Sequence, residues 1–284
     1  MLNRTVLSKQ AYYSAIKLRK NLNIPLDVPL PIYDTVQNYG IEVRFLDTKS
    51  IEGLYSKNPG PTILIGAYRP KGRQVYTCAH ELAHHEFDHG TRIDEIRTDT
   101  IEYTEEEFLA DCFAGYFLMP SFAVNKIIRD KNWNNSTLLP QHILYLSNYF
   151  NVGYTTITNH LAFALKIISP SQAKIFKSRA KGDIFIDLVN MKINSDLILL
   201  DELFVNSIDV NVDDYILAPN HIKFEGNNLM IEKELTKSKL YRACSTGISR
   251  FINTQTDWSK FCRVSKKEYI GRNIFRHLEE VDDD

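Results

Sequence analysis

The chain has 284 residues, 44% apolar and 24% charged, the balance of a globular protein able to bury a real core. The opening MLNRTVLSKQ has no apolar signal core, and no apolar run approaches the roughly 20 residues that span a bilayer. A cytoplasmic protein without membrane insertion is therefore expected. Cys78, Cys112, Cys244 and Cys262 form no CxxC pair, which argues against a disulfide framework or a cysteine-based zinc module. The net charge of −1 is uneven: residues 1–125 carry 13 Lys and Arg against 16 Asp and Glu, residues 126–180 carry 7 against 1, and residues 181–284 carry 14 against 18. A basic middle between two mildly acidic ends suggests a three-part chain.

In chain order, residues 9–21 read as a helix, followed by the Pro-punctuated IPLDVPLP (24–31). A second helix, 31–38, should stop at Gly40, after which residues 41–45 alternate as a strand. Residues 53–55 and 62–65 read as two further strands, with SKNPGP (56–61) as a hairpin connection. RPKGR (69–73) is a turn, and VYTCAHELAHHEFDH (75–89) is the first strongly helical stretch. A charged loop (90–103) precedes EEFLADCFAGYFLMP (106–120), whose helical periodicity is stopped by Pro120. In the middle part, Leu146, Phe150, Val152, Ile157 and Leu161, with Gly153, have helix-turn-helix-like spacing. From about 180 onward, IFIDLV, LILL, VDDYILA and NLMIEKEL read as short strands or helices. The fold class expected is α+β throughout, with a helical middle.

CAHELAHHEFDHG (78–90) holds H-E-x-x-H twice. The pattern suits a metal because residues i and i+4 share a helix face, so two imidazoles converge on one ion while the Glu at i+1 stands beside it as general base. His80-Glu81-x-x-His84 has uncharged Leu82 and Ala83 inside the motif. His85-Glu86-x-x-His89 contains Asp88 and runs into Gly90, where a helix ends. The frames are five residues apart, about 140° around a helix, so they cannot share an ion. The first frame is the site, and His85 and His89 read as solvated or supporting histidines at the helix end. Phe87 and Gly90 stand where a metzincin needs Gly and His, which excludes that class. A third ligand can come instead from Glu107-Phe108-Leu109-Ala110-Asp111, with Glu107 as ligand and Asp111 orienting a histidine. The competing reading of Glu107 is a capping box with Thr104. Burial of both carboxylates on an apolar segment favours ligation.

These motifs resemble the ImmA/IrrE family of bacterial metallopeptidases. Arg73, Tyr76, Thr77, Ala79, His80, Glu81, Leu82 and His84 match its first motif, with Tyr in place of Phe and Ala83 in place of Gly. Glu107, Ala110, Asp111, Phe113, Ala114, Leu118, Met119 and Pro120 match the second. The resemblance covers about residues 10–122. It implies a zincin-like peptidase domain (1–125) with one Zn²⁺ held by His80, His84 and Glu107, and Glu81 as catalytic acid/base. It further implies cleavage of a helix-turn-helix repressor, derepressing stress-response or mobile-element genes. Larger relatives add a helix-turn-helix region and a GAF-like sensory domain, to which residues 126–180 and an α+β part, 181–284, would correspond.

Tyr76, Tyr103 and His89 are candidate oxyanion stabilisers, and the strand at 62–67 could pair with an extended substrate. The rival reading is a DNA-binding regulator with a structural or vestigial zinc site. Against it, YTTITNH (154–160) contains no Lys or Arg to meet phosphate or guanine, so DNA is the less favoured partner and packing on the peptidase part is expected. A zinc-protease toxin with another substrate is a third reading. Cys78 and Cys112 read as packed small residues rather than a redox switch.

Overall fold

The computed structural model describes residues 3–90, 92–95 and 104–278. Helix α1 (Arg4–Asn21) is followed by α2 (Ile32–Asn38), which ends before Gly40 in the left-handed region at φ +90°. Strands β1 (Glu42–Leu46), β2 (Ile51–Ser56) and β3 (Thr62–Gly66) lead into α3 (Lys71–Glu86). The stretch expected to be a loop contains β4 (Arg92–Glu95), an antiparallel neighbour of β2. Then come α4 (Glu105–Leu118) and α5 (Ser121–Asp130), α6 (Pro140–Tyr149), α7 (Tyr154–Asn159), α8 (Pro170–Ser178) and α9 (Lys181–Val189). Residues 105–130 are long and apolar enough to cross a membrane. Pro120 divides them into two helices, however, and 61% of the apolar window is buried inside the fold.

Beyond α9 the described residues turn to strands: β5 (Leu197–Leu199), β6 (Ile208–Asn211), β7 (Tyr215–Pro219), β8 (Ile222–Glu225) and β9 (Leu229–Glu234). They continue with β10 (Ser238–Ala243), β11 (Gly247–Asn253), β12 (Ser259–Ser265) and β13 (Gly271–Arg272). Two four-stranded sheets result, in the orders β5-β7-β10-β9 and β6-β12-β11-β8. The whole is mixed α and β, with helices gathered in the first two thirds. Of the segments left open between strand and helix, IFIDLV lies in α9, whereas LILL, VDDYILA and NLMIEKEL supply β5, β7 and β9.

The N-terminal sheet has the order β13-β1-β3-β2-β4. β3 lies inside it, parallel to β1 on one side and antiparallel to β2 on the other. Its backbone groups are thus committed to neighbours, which corrects the expectation that 62–67 could receive a substrate strand. The outer position is taken by β13, which pairs antiparallel with β1 at Arg44–Arg272 and Phe45–Gly271. Nearby, Arg263 bridges Asp34 of α2 at 2.8 Å and Asp209 of β6 at 2.5 Å. The last strands are thereby fixed to the first.

α1 buries Ala11, Ala15, Leu18 and Arg19, a stripe with helical periodicity that packs on α4. Arg19 is fully buried. Its Nε donates to the Phe117 carbonyl at the end of α4 at 2.9 Å, and its two Nη groups donate to the Pro25 and Val28 carbonyls at 2.7–3.1 Å. Burial lowers its pKa to about 10, so the cation remains charged at neutral pH and satisfies carbonyls that α4 leaves open.

The middle helices pack against this domain. Gly72 in the first turn of α3 faces the backbone of Val152 and Gly153, where a Cβ would lie 2.5–2.6 Å from main-chain atoms. Within 154–160, Tyr154, Ile157, Thr158 and His160 are buried. His160 Nε2–H donates to the Met119 carbonyl at 2.9 Å, and Gly115 of α4 leaves room for the imidazole, since a Cβ there would meet Nδ1 at 2.9 Å.

Burial lowers the His160 pKa from 6.5 to about 4. Because the folded value lies below the unfolded one, the stabilisation is present above pH 6.5 and is lost as pH falls towards 4. At about 1.4 kcal/mol per unit, the acid-dependent loss is roughly 3 kcal/mol. Denaturant unfolding of His160→Gln between pH 7 and 4 is expected to show a shallower acid slope than the parent. Some slope should persist, since His277 is likewise lowered, to about 3, by burial and Arg276.

Candidate metal centre

α3 carries the first H-E-x-x-H frame on a buried face: Cys78, Ala79, His80, Glu81, Leu82, Ala83 and His84 are all buried. The helix ends at Glu86. Asp88 (φ +52°) and Gly90 (φ +78°) then adopt left-handed conformations, so His89 lies beyond the helix and has no helical i+4 relation to His85. α4 runs alongside and brings Glu107 to the two imidazoles.

The geometry is compact. His80 Nε2 and His84 Nε2 are 3.1 Å apart, Glu107 Oε2 is 3.4 Å from the first and Glu107 Oε1 is 3.5 Å from the second. Asp111 Oδ1 accepts from His80 Nδ1–H at 3.0 Å. That bond fixes the His80 tautomer and leaves its Nε2 as a lone pair. Four acceptor atoms thus face one point, and a metal at about 2.0–2.1 Å from each ligand would separate tetrahedral donors by about 3.3–3.4 Å. Two imidazoles and one carboxylate therefore fit a divalent metal and could hold it, with ligand atoms all within 4.8 Å of one another.

Glu107 is placed so that both competing readings are compatible with it, through different atoms. Its N–H donates to Thr104 Oγ1 at 3.2 Å, the helix-capping bond, while its carboxylate lies against the histidines. His89, read from the sequence as solvated or supporting, takes the supporting place. Its Nδ1 is 2.9 Å from His84 Nδ1, and its ring stacks on Phe87 with centroids 5.6 Å apart. His89 thus supports His84 as Asp111 supports His80. Helical periodicity could not reveal this, because the left-handed turn at Asp88 brings His89 back.

Glu81 is fully buried, and β2 passes directly over it. A Cβ at Gly53 would overlap Glu81 Oε1 and Thr77 Cγ2, so glycine is what lets the strand approach the acid so closely. His85 hydrogen-bonds Tyr55 Oη at 2.7 Å and stands apart from the cluster. Of the oxyanion candidates, Tyr76 donates to the Asp111 carbonyl at 2.8 Å, a tie between α3 and α4, and Tyr103 lies outside the described residues. Burial pushes the Cys78 thiol well up, and the Cys112 thiol to about 11. Both are packed and protonated, as a small core residue would be.

A metal-competent pair of imidazoles on one helix and a carboxylate on the next, backed by a mixed sheet, defines a metallopeptidase-like domain. Residues 36–161 match the Peptidase M78 family model, described as the IrrE N-terminal-like domain. The match begins within α2 and runs through α7 to Leu161. Among solved structures, a Mycobacterium tuberculosis transcriptional regulator is similar at 18% identity and a TM-score of 0.36, over 54% of this chain and 46% of that one. The chain thus spans about half the length of that regulator. No curated protein matches.

Metal analysis of purified variants tests the assignment of ligands. His84→Ala and Glu107→Ala are expected to lose bound divalent metal. His89→Ala should retain it with affinity weakened about 10–100-fold, the usual effect of removing a supporting partner. A separate expectation concerns Gly53→Ala: the new methyl group must displace Glu81, so hydrolytic activity should fall while metal content is unchanged.

Proposed function

We propose that the chain is a zinc-dependent endopeptidase with His80, His84 and Glu107 as metal ligands and Glu81 as catalytic acid/base. The observation that carries the reading is the convergence of both imidazole Nε2 atoms and the Glu107 carboxylate next to the buried Glu81. A zinc ion held there supplies Lewis acidity for the scissile carbonyl and for the attacking water.

The residues then divide the remaining work. Glu81, excluded from bulk solvent by α3 and Gly53, takes a proton from the attacking water and delivers it to the leaving amine nitrogen. Asp111 holds His80 through Nδ1–H, and His89 performs the same service for His84, so both rings keep Nε2 directed inward. β4 is the outermost strand beside β2 among the described residues, and an extended substrate can add to its outer edge, where main chain is read before side chain. The substrate that fits the family resemblance is a cytoplasmic helix-turn-helix repressor, whose cleavage derepresses stress-response or mobile-element genes. The buried side chains of α7 support a structural role for the middle helices in this peptidase rather than insertion into DNA.

Zinc-loaded protein incubated with helix-turn-helix repressors, above all any encoded beside it, should give discrete fragments by mass spectrometry. Glu81→Gln is expected to slow their appearance by about 10²–10⁴-fold with zinc still bound. Undiminished cleavage by that variant would remove Glu81 from the mechanism.

A further inference from the structure

A second site, separate from the metal centre, lies where the peptidase-family domain meets the C-terminal strands. A cavity of about 520 Å³ opens between α2, the start of α3, α9 and the β6–β12 region, well within the range of small-molecule pockets. Three buried polar atoms in its lining residues have no hydrogen-bond partner among the described residues: Lys71 Nζ, Arg69 Nε and Tyr33 Oη. Tyr33 is only 3% exposed. Buried donors of this kind are costly unless something pairs with them, and here all three belong to residues of one cavity wall.

The remaining wall has a consistent chemistry. Six Lys and Arg side chains line it against four carboxylates. Burial pushes one of those carboxyls, Asp214, up to about 6, and both of its oxygens accept backbone N–H bonds, from Asp196 and Asn211. The cavity also borders the first turns of α3 and α9, through Lys71 and through Lys181 and Gly182, and neither helix has a side-chain cap. Helix N-termini together with lysines make a phosphate-binding environment. Five aromatic rings, among them Tyr33, Tyr68 and Phe185, supply flat apolar surface beside the cationic end. Arg276 does not compete for the same role: it is engaged with Asp209 at 2.8 Å and lies over the Tyr33 ring at 4.6 Å. Lys71 Nζ donates no hydrogen bond among the described residues, although Asp209, Asp214 and Asp196 attract its charge.

We propose that this cavity binds a phosphorylated small molecule of nucleotide size, with the phosphate at Lys71 and the α3 and α9 N-termini and the planar body against the aromatic wall. The proposal does not depend on the peptidase reading, and its test uses no proteolysis.

Calorimetric titration of the zinc-loaded full chain with adenosine, guanosine, cytidine and uridine monophosphates, inorganic phosphate and adenosine provides the measurement. At least one nucleoside monophosphate should bind at least tenfold more tightly than inorganic phosphate or adenosine. Glu107→Ala should bind it equally well, separating the cavity from phosphate captured at the metal. Lys71→Met should weaken binding at least tenfold while holding or raising the Tm of the ligand-free protein, because the cost of burying this charge exceeds the attraction of Asp209, Asp214 and Asp196. Tyr33→Phe, which deletes only a hydroxyl, should weaken binding severalfold with metal content and Tm retained. The proposal is overturned if no monophosphate binds at millimolar concentration, or if adenosine binds as well as the monophosphates. It is also overturned if Glu107→Ala abolishes binding, if neither Lys71→Met nor Tyr33→Phe weakens it, or if Lys71→Met lowers the Tm, which would make Lys71 a structural cation.

Discussion

Two imidazole nitrogens 3.1 Å apart, with carboxylate oxygens at 3.4 and 3.5 Å, are poor neighbours in a dry interior unless a cation stands among them, because each presents a lone pair to the others. The fold holds them together by means that have nothing to do with the metal. α3 and α4 pack along their length, Tyr76 ties one to the backbone of the other, and α1 presses on α4 from outside. Arg19 anchors the end of α4 by saturating its terminal carbonyl together with two carbonyls of the 25–28 turn. Gly53 and Gly115 set how closely β2 and His160 can approach. The cluster is in this sense preorganised: its strain is held by packing distributed over four helices and a sheet.

Much of the centre was legible in the chain because it depends on local rules. The i, i+4 spacing of His80 and His84, the absence of charge between them and the Asp88–Gly90 break together distinguish two frames that look alike as strings. Glu107 and Asp111 share the same spacing on an apolar helix. What local rules could not supply was any contact made across sequence distance. His89 pairs with His84 only because Asp88 takes a left-handed conformation. Arg19, in an amphipathic helix, looks like one more solvated cation. β3 looks accessible until β1 and β2 are known to flank it, and strand order is decided by pairings that no short window contains.

The metal centre and the interface cavity occupy opposite ends of the same helix. His80 follows Lys71 by nine residues, or about 13 Å of helical rise, so the first turn of α3 faces the C-terminal strands while its later turns face α4. The two sites share one helix, and the walls of the cavity come from parts of the chain more than 240 positions apart, from Tyr33 to Arg276.

That long-range closure has a consequence for how the protein comes into being. The sheet behind α3 acquires its outermost strand, β13, only from residues 271–272. The edge of β1 is therefore covered only once residues 271–272 have been made. Until then the nascent N-terminal part exposes an open strand edge, the feature most prone to pair with other chains. The same dependence means that the region matched by the family model cannot be excised at Leu161 without uncovering that edge. β13 acts as a clasp, giving the sheet behind the helix that bears His80 and His84 its outer strand from more than 200 residues away.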